Sequence, residues 1–412
     1  MSCRGLHCVR IYIAEALMTQ TYPTDPLQAV THANPYPYYA ALREHVPLVR
    51  DEASQLWIAA RAQTVGVVLG DERLTVRPVS EPVPRAIVGE PAGDVFARLA
   101  RMNEGEDHRI ARQALVAGLG AVDTEAVFRT SRDRAATLIE RRDANVAALL
   151  DTLAFALPAH IVAELVGLPA DDNLEATLRQ FVACLSPASS AESLRAAHEA
   201  ALQLQHRLQA LTQRAGNASA LIDRIVSGGL PRSDALPNAL VSNLLGLFSQ
   251  TFDATAGLIG NGVVTLLQYP DVAASMRAGH GSVQTFVHEV ARFDPSVHNT
   301  RRFVREAVEI EGVALQPGDV VLVLLAAASR DEAVYENAER FIMDREHRPL
   351  PGFGAGRHAC PGETLAKSIA AGIIAALIAS RYDRDQCALS WTYRPSLNAR
   401  IPKFTFSEKA QS

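Results

Sequence analysis

Between Phe353 and Glu363 the chain reads Phe-Gly-Ala-Gly-Arg-His-Ala-Cys-Pro-Gly-Glu. Gly352, Gly354 and Gly356 permit close backbone approach and positive φ, so the stretch reads as a constrained loop. Pro361 suits the first turn of a helix, where a missing N–H is harmless. Apolar residues then recur at Leu365, Ile369, Ile373, Ile374 and Leu377. Cys360 thus stands just ahead of a helix N-terminus, where the dipole and free N–H groups favour a thiolate. Such a thiolate is a nucleophile or a ligand to a soft metal. An inert buried cysteine on a glycine turn is the plainer alternative, but it leaves the neighbouring Arg357 and His358 unexplained.

Four other groupings could do chemistry. His108 and Arg112 are four residues apart and share a helical face, two donors able to clamp an anion; alone, such a pair is usually a solvated face. Gln250, Thr251, Asp253 and Thr255 interrupt an apolar helical run, and polar groups there cost free energy unless paired. Their plain explanation is back-bonding to the helix and a structural ion pair. Glu289 and Arg292 have the i,i+3 spacing of a common surface salt bridge. His298, Asn299 and Arg302 follow a proline-marked turn. His160, His198 and His206 carry no accompanying carboxylate pattern and read as ordinary core or surface histidines.

These residues need a scaffold that is mainly α with small β-sheets. The chain has 412 residues, 48% hydrophobic and 21% charged, a globular composition with ample core. A net charge of −5 with interspersed signs gives no nucleic-acid footprint. Five scattered cysteines without zinc spacing suit a reduced, cytoplasmic setting. The apolar run Ile11–Leu17 is broken by Glu15 and is too short for a membrane anchor. Residues 1–19 read as a disordered or loosely docked tail, with Met18 opening a more typical leader, and 20–408 as one domain. The spacing predicts a helix over Tyr38–His45, strands over Pro47–Arg50 and Gln55–Ala59, a helix over Ala62–Leu69, and a proline-rich loop over 78–100. Residues 121–235 are helical in pattern, including Asp143–Val166 and Ala191–Arg214 with a break at Ser186–Ser190. Pro237 to Pro270 brackets the longest helix. Strands are expected within Glu309–Leu315, Val320–Leu325, Leu389–Tyr393 and Lys403–Ser407.

The Phe353–Glu363 stretch resembles the haem-ligating loop of the cytochrome P450 superfamily, Phe-Gly-x-Gly-x-His-x-Cys-x-Gly. Phe353, Gly354, Gly356, His358, Cys360 and Gly362 fill every fixed position. The resemblance implies the P450 fold, a helix-rich lobe plus a smaller β-rich lobe, and haem b with Cys360 as axial thiolate, the ligand type that favours O–O cleavage. It further implies propionate contacts from His108, Arg112, Arg302 and His358, and Phe353 packed over the sulfur side. Glu289 and Arg292 look like the family's structural Glu-x-x-Arg, with Arg340 as third partner. His298, Asn299 and Thr251 would lie beside the substrate.

Residues 247–261 resemble the oxygen-activating helix. Asp253 fills the acid position and Thr255 the second threonine, but Ala254 stands where the first, proton-relaying threonine is usual. A water on Asp253, a substrate hydroxyl or Gln250, one turn away on the same face, would then have to substitute. The activity implied is a monooxygenase acting on O2 and a small organic substrate of secondary metabolism. Electrons would come from a ferredoxin and ferredoxin reductase, with Arg109, Arg112, Arg357 and Lys367 as docking candidates. Peroxygenase or oxidative coupling and desaturation chemistry is the alternative that Ala254 raises; a non-enzymatic haem sensor is the remote one.

Overall fold

The computed structural model describes residues 23–406 except positions 45, 142–144, 170, 172, 185–188, 214–218, 347–348 and 381–388. The tail expected over 1–19 lies outside the described residues, as do His45, positions 143–144, the break at 186–188, Arg214 and Ser407.

A 3-10 turn at Gln28–Thr31 leads into α1 (Tyr36–Glu44), which buries Tyr36, Tyr38, Tyr39 and Leu42. The expected hairpin is β1 (Leu48–Asp51) and β2 (Leu56–Ala59), with Leu48 opposite Ala59. Next come α2 (Ala62–Gly70) and β3 (Leu74–Thr75). Residues 78–100, expected as a loop, instead contain α3 (Pro91–Arg98), for Pro91 falls in the helix's first turn, where its missing N–H costs nothing. A 3-10 turn at Ala100–Met102 joins it to α4 (Gly105–Gly120) and α5 (Thr124–Arg141).

The helix expected through Val166 is interrupted. α6 (Val146–Asp151) passes through a π-helical turn, Thr152–Ala156, into α7 (Leu157–Val166). Pro158 cannot donate one turn back, and the Leu157 N–H reaches Thr152 instead. By length and composition Val146–Val166 could cross a membrane, but Leu150, Leu153, Phe155, Ile161 and Val166 are core residues.

α8 (Leu174–Ala183), α9 (Ala191–Thr212) and α10 (Ala220–Ser227) precede α11 (Ala239–Gln268), whose 30 residues begin at an Asn238 cap bonded to Val241 N–H. It runs about 45 Å at 1.5 Å per residue. Being apolar on nearly all sides, it is central. α12 (Pro270–Arg277), α13 (Val283–Phe293), β4 (Thr300–Val304), β5 (Val308–Ile310), β6 (Val313–Leu315), β7 (Val320–Val323) and α14 (Leu325–Ala328) follow. The chain closes with α15 (Glu363–Ala379), β8 (Leu389–Tyr393) and β9 (Pro402–Phe406).

One five-stranded sheet has the order β1-β2-β7-β4-β3, with β2 and β7 parallel and the other pairs antiparallel. β5 pairs with β6, and β8 with β9. The helical core centres on α11, flanked by α13 and α15, with α5 packed against α15. Gly372 of α15 sits where a Cβ would come within 2.4 Å of Phe128 O of α5, so this crossing needs glycine.

Candidate active site

The cysteine loop is built from two 3-10 turns, Pro351–Phe353 and Gly356–His358. Gly354 (φ +73°) and Gly356 (φ +66°) take the left-handed conformation that glycine tolerates. Gly352 serves close approach instead, since a Cβ there would stand 2.8 Å from Pro295 Cβ. Cys360 N–H closes the loop on Phe353 O at 2.8 Å, and Phe353 is half-buried against the core. α15 starts at Glu363 with Gly362 as its cap, so Pro361 lies in the turn before the helix, not in its first turn. Cys360 is exposed. Yet the surrounding protein is deep enough that burial pushes its thiol up, against a hydrogen bond from Gly362 N–H. The helix end alone therefore does not lower this thiol, because burial outweighs it.

His108 and Arg112 sit on one face of α4, but both side chains reach the cysteine loop. His108 Nε2 faces Arg357 O at 3.0 Å, and Arg112 donates to Ala359 O at 2.5 Å. The other His108 nitrogen faces Ala100 O at 2.8 Å, and its ring lies 4.1 Å from that of His358. Arg357, expected as a docking residue, is turned inward. It donates to Glu104 at 2.9 Å and to Leu74 O at 2.7 Å.

Glu104 organises this corner and was not singled out in the sequence. It accepts from Arg357, from Val76 N–H at 3.0 Å and from His358 Nε2 at 3.1 Å. Burial alone would raise its carboxyl, but hydrogen bonds from His358 and Arg357 outweigh it and bring it down to about 2. One carboxylate does not satisfy the cluster. Arg302, on β4 and 4% exposed, has a buried Nε without a partner, and His358 has a buried Nδ1 without one. Burial, then the nearby Arg357, lowers the Arg302 guanidinium to about 10. The unpaired buried guanidinium N–H fits an added carboxylate, such as a haem propionate, whereas His358 Nδ1, with Nε2–H given to Glu104, donates only when the ring is protonated.

α11 carries the second set of candidate residues. From Leu240 to Leu266 only Leu247, Gln250, Thr251, Asp253 and Ala254 escape full burial. At 100° per residue, Leu247, Gln250, Thr251 and Ala254 form one stripe, with Asp253 on one flank and Thr255 on the other. Thr255 is 0% exposed, and its hydroxyl is buried without a partner. It does not reach the open space, which corrects its assignment to the catalytic set. Burial raises the Asp253 carboxyl, with Arg179 and Arg394 opposing. Those two arginines stack on Phe155 of the π turn, at 4.6 and 4.9 Å from its ring centre, and Phe155 packs against Phe252 at 5.1 Å.

Three further expectations are corrected. His298 is 0% exposed and bonds Tyr39 Oη at 3.0 Å, and Asn299 is 3% exposed and bonds Leu397 O at 2.8 Å, so neither lines a cavity. Glu289 and Arg292 do form a buried pair at 2.7 Å. Its third side-chain partner is Arg345, 3.2 Å from Glu289, because Arg340 contributes its carbonyl to Arg292 at 3.0 Å.

A family model described as Cytochrome P450 matches residues 281–382. The chain is 26% identical over 350 residues to the 20-oxo-5-O-mycaminosyltylactone 23-monooxygenase of Streptomyces fradiae, covering 83% of this chain and 81% of that one. It is 29% identical over 352 residues to the 6-deoxyerythronolide B hydroxylase of Saccharopolyspora erythraea, covering 82% and 86%. The crystal structure of CalO2 superposes with a TM-score of 0.77 at 27% identity, covering 94% and 99%. The chain is thus similar over most of its length to cytochrome P450 monooxygenases, and the matching family model takes in its cysteine loop.

Proposed function

We propose that residues 20–408 act as one cytoplasmic monooxygenase unit that holds haem b through Cys360 and oxidises a small organic molecule of secondary metabolism with O2. The observation that carries it is the pairing of an accessible Cys360 with a buried unpartnered donor, Arg302 Nε, beside a buried unpartnered His358 Nδ1. When bound, the haem supplies reductive activation of O2 and oxygen transfer. This chain's part is to ligate through Cys360, to receive the propionates at Arg302 and His358, and to brace the loop through His108 and Arg112. Gln250 and Thr251, on the accessible stripe beside Ala254, hold the water that delivers protons, with Asp253 at its edge. Relatives named for oxidising 20-oxo-5-O-mycaminosyltylactone and 6-deoxyerythronolide B support a functionalised natural product as substrate class.

Electrons come from a ferredoxin-type partner. Of the expected docking residues, Arg109 is exposed and Lys367 half-buried, each paired with an acid, Glu106 and Glu363. A reduction rate by ferredoxin that ignores ionic strength rejects this docking mode. The assignment as a whole is tested by the reduced, carbon monoxide-bound spectrum. Wild type gives the thiolate-type band and Cys360→Ser loses it; retention of the band refutes the assignment.

Ala254 favours a second reading, a peroxygenase or oxidative-coupling reaction on the same haem, since an alanine cannot relay a proton. Turnover with hydrogen peroxide that exceeds turnover with the electron donor selects it.

A further inference from the structure

Accessibility and depth part company at Arg101. Its side chain is exposed, yet burial is the chief influence on its guanidinium and brings it down to about 10. A side chain that solvent can touch while protein surrounds it lines an interior space. Cys360 has the same pair of properties.

The backbone next to Arg101 is fastened to both α11 and α4. Ala100 N–H donates to Asn243 Oδ1 of α11 at 2.8 Å, and Asn243 Nδ2 returns to Arg98 O at 2.9 Å. On the other side Ala100 O faces His108 Nδ1 at 2.8 Å. Asn243 lies one helical turn before Leu247, where the open stripe of α11 begins. Arg101 therefore stands at that end of the space. The titratable side chain close enough to act on it is Cys184, which caps α8.

No ion pair or hydrogen bond occupies the guanidinium among the described residues, and residues 185–188, next to Cys184, read Leu-Ser-Pro-Ala and bring no acid. Arg302, Arg357, His358 and Glu104 form a separate cluster whose mutual influences do not include Arg101. The propionate corner thus leaves this cation unused. An accessible guanidinium that no neighbouring side chain engages is free to take an anion.

Resting on the haem reading above, we propose that Arg101 is the anion-recognition residue of the substrate cavity and that the substrate carries a carboxylate. A carboxylate matches the planar fork of a guanidinium with two hydrogen bonds. It also balances one positive charge, whereas a phosphate dianion would leave one charge over. From the level of Asn243–Leu247 to Ala254 is roughly 10–16 Å along α11 at 1.5 Å per residue. The acid group is therefore held that far from the carbon presented to the haem face, and it fixes which carbon is oxidised.

The test needs no knowledge of the natural substrate. ω-(Imidazol-1-yl)alkanoic acids of increasing chain length, and their methyl esters, are titrated into haem-loaded protein and followed by the red shift of the Soret band. At the best length the acid binds about tenfold more tightly than its ester, the range of one charge-assisted contact. Arg101→Gln brings the acid-to-ester ratio to about one, and Arg101→Lys keeps part of the preference, as a cation without the fork should. 1-Phenylimidazole, which carries no acid, binds all three proteins alike and reports that haem and fold are intact. Equal affinity of acid and ester at every length overturns the proposal, and so does a preference that survives Arg101→Gln. Tighter binding of a dianionic ω-imidazolyl alkylphosphonate overturns the choice of carboxylate. Absence of any 1-phenylimidazole shift in wild type rejects the haem reading itself.

Discussion

Glu104 is the residue on which the propionate corner turns, because among the described residues it is the acid paired with Arg357 and His358. Its carboxyl is lowered in the folded protein, so its contribution is present above the ordinary carboxylate pKa and is lost as pH falls through about 4.5 toward 2. Glu104→Gln should lower stability at pH 7 by about 1–3 kcal/mol and flatten the pH dependence of the denaturation midpoint below pH 4.5. An unchanged acid limb would mean that the carboxylate does not carry the cluster. At Ala254 the prediction concerns coupling. Ala254→Thr adds a hydroxyl to the accessible stripe and should raise, or leave unchanged, product formed per reducing equivalent consumed. Loss of all activity would show that the alanine is needed for space or for a proton supplied by the substrate. The cysteine loop was legible in the sequence because its residues are contiguous and two glycines are dictated by backbone conformation. Glu104 was not, since it meets Arg357 and His358 across 253 and 254 positions and a single acid before a helix carries no signature. Arg345 and Arg340 illustrate the same limit: the chain's path chose which one turns its guanidinium inward.

At the scale of elements, helix contacts in the core are set by glycines as much as by apolar stripes. Gly372 lets α15 meet α5 so closely that an added Cβ would lie 2.4 Å from Phe128 O and 2.9 Å from Arg132 N, backbone atoms that cannot swing aside. Gly372→Ala should cost about 1–3 kcal/mol in chemical denaturation, as overpacking does. Gly66, inside α2 and with nothing within 4 Å, is the control. Gly66→Ala should stabilise by about 0.5–1 kcal/mol through reduced backbone entropy. If both substitutions act alike, close approach is not what Gly372 provides. The long apolar α11 was readable from composition, and the hairpin of β1 and β2 from its alternating pattern and turn. α3 was hidden because four prolines in one stretch read as punctuation, although one of them sits where helices accept it. The π turn before Pro158 was equally hidden, since a proline in a helical pattern signals disturbance without saying which kind.

At the scale of the whole molecule, the start and the end of the described chain are tied together by one buried polar hub. Arg400, 2% exposed, donates to the carbonyls of Val30, His32 and Ala33 and pairs with Asp294 at 3.0 Å. Tyr36 of α1 donates to the same carboxylate, and Arg330 lies over the Tyr36 ring. Burial alone would raise the Asp294 carboxyl, but Arg400, then His298 and Tyr36, take it well below the usual carboxylate range. His298 completes the hub. Burial, the largest influence on it, lowers its ring to about 4, so at neutral pH the ring is uncharged and its Nε2, 3.5 Å from Asp294, makes a polar contact rather than an ion pair. The consequence has a definite sign. Between about 6.5 and about 4 the unfolded chain binds a proton at this histidine and the folded protein does not, so stability falls as pH is lowered through that window. The slope per buried histidine approaches about 1.4 kcal/mol per pH unit. His298 faces no open space, so ligands in the haem cavity leave this behaviour untouched, in contrast to His358 at the propionate corner. Urea denaturation at pH 7 and pH 5 should show a marked loss for wild type and a smaller one for His298→Gln, which keeps a polar group toward Tyr39 and cannot charge. Equal losses in the two proteins would place the acid sensitivity elsewhere. A greater loss in the variant would mean that the ring is charged in the folded hub.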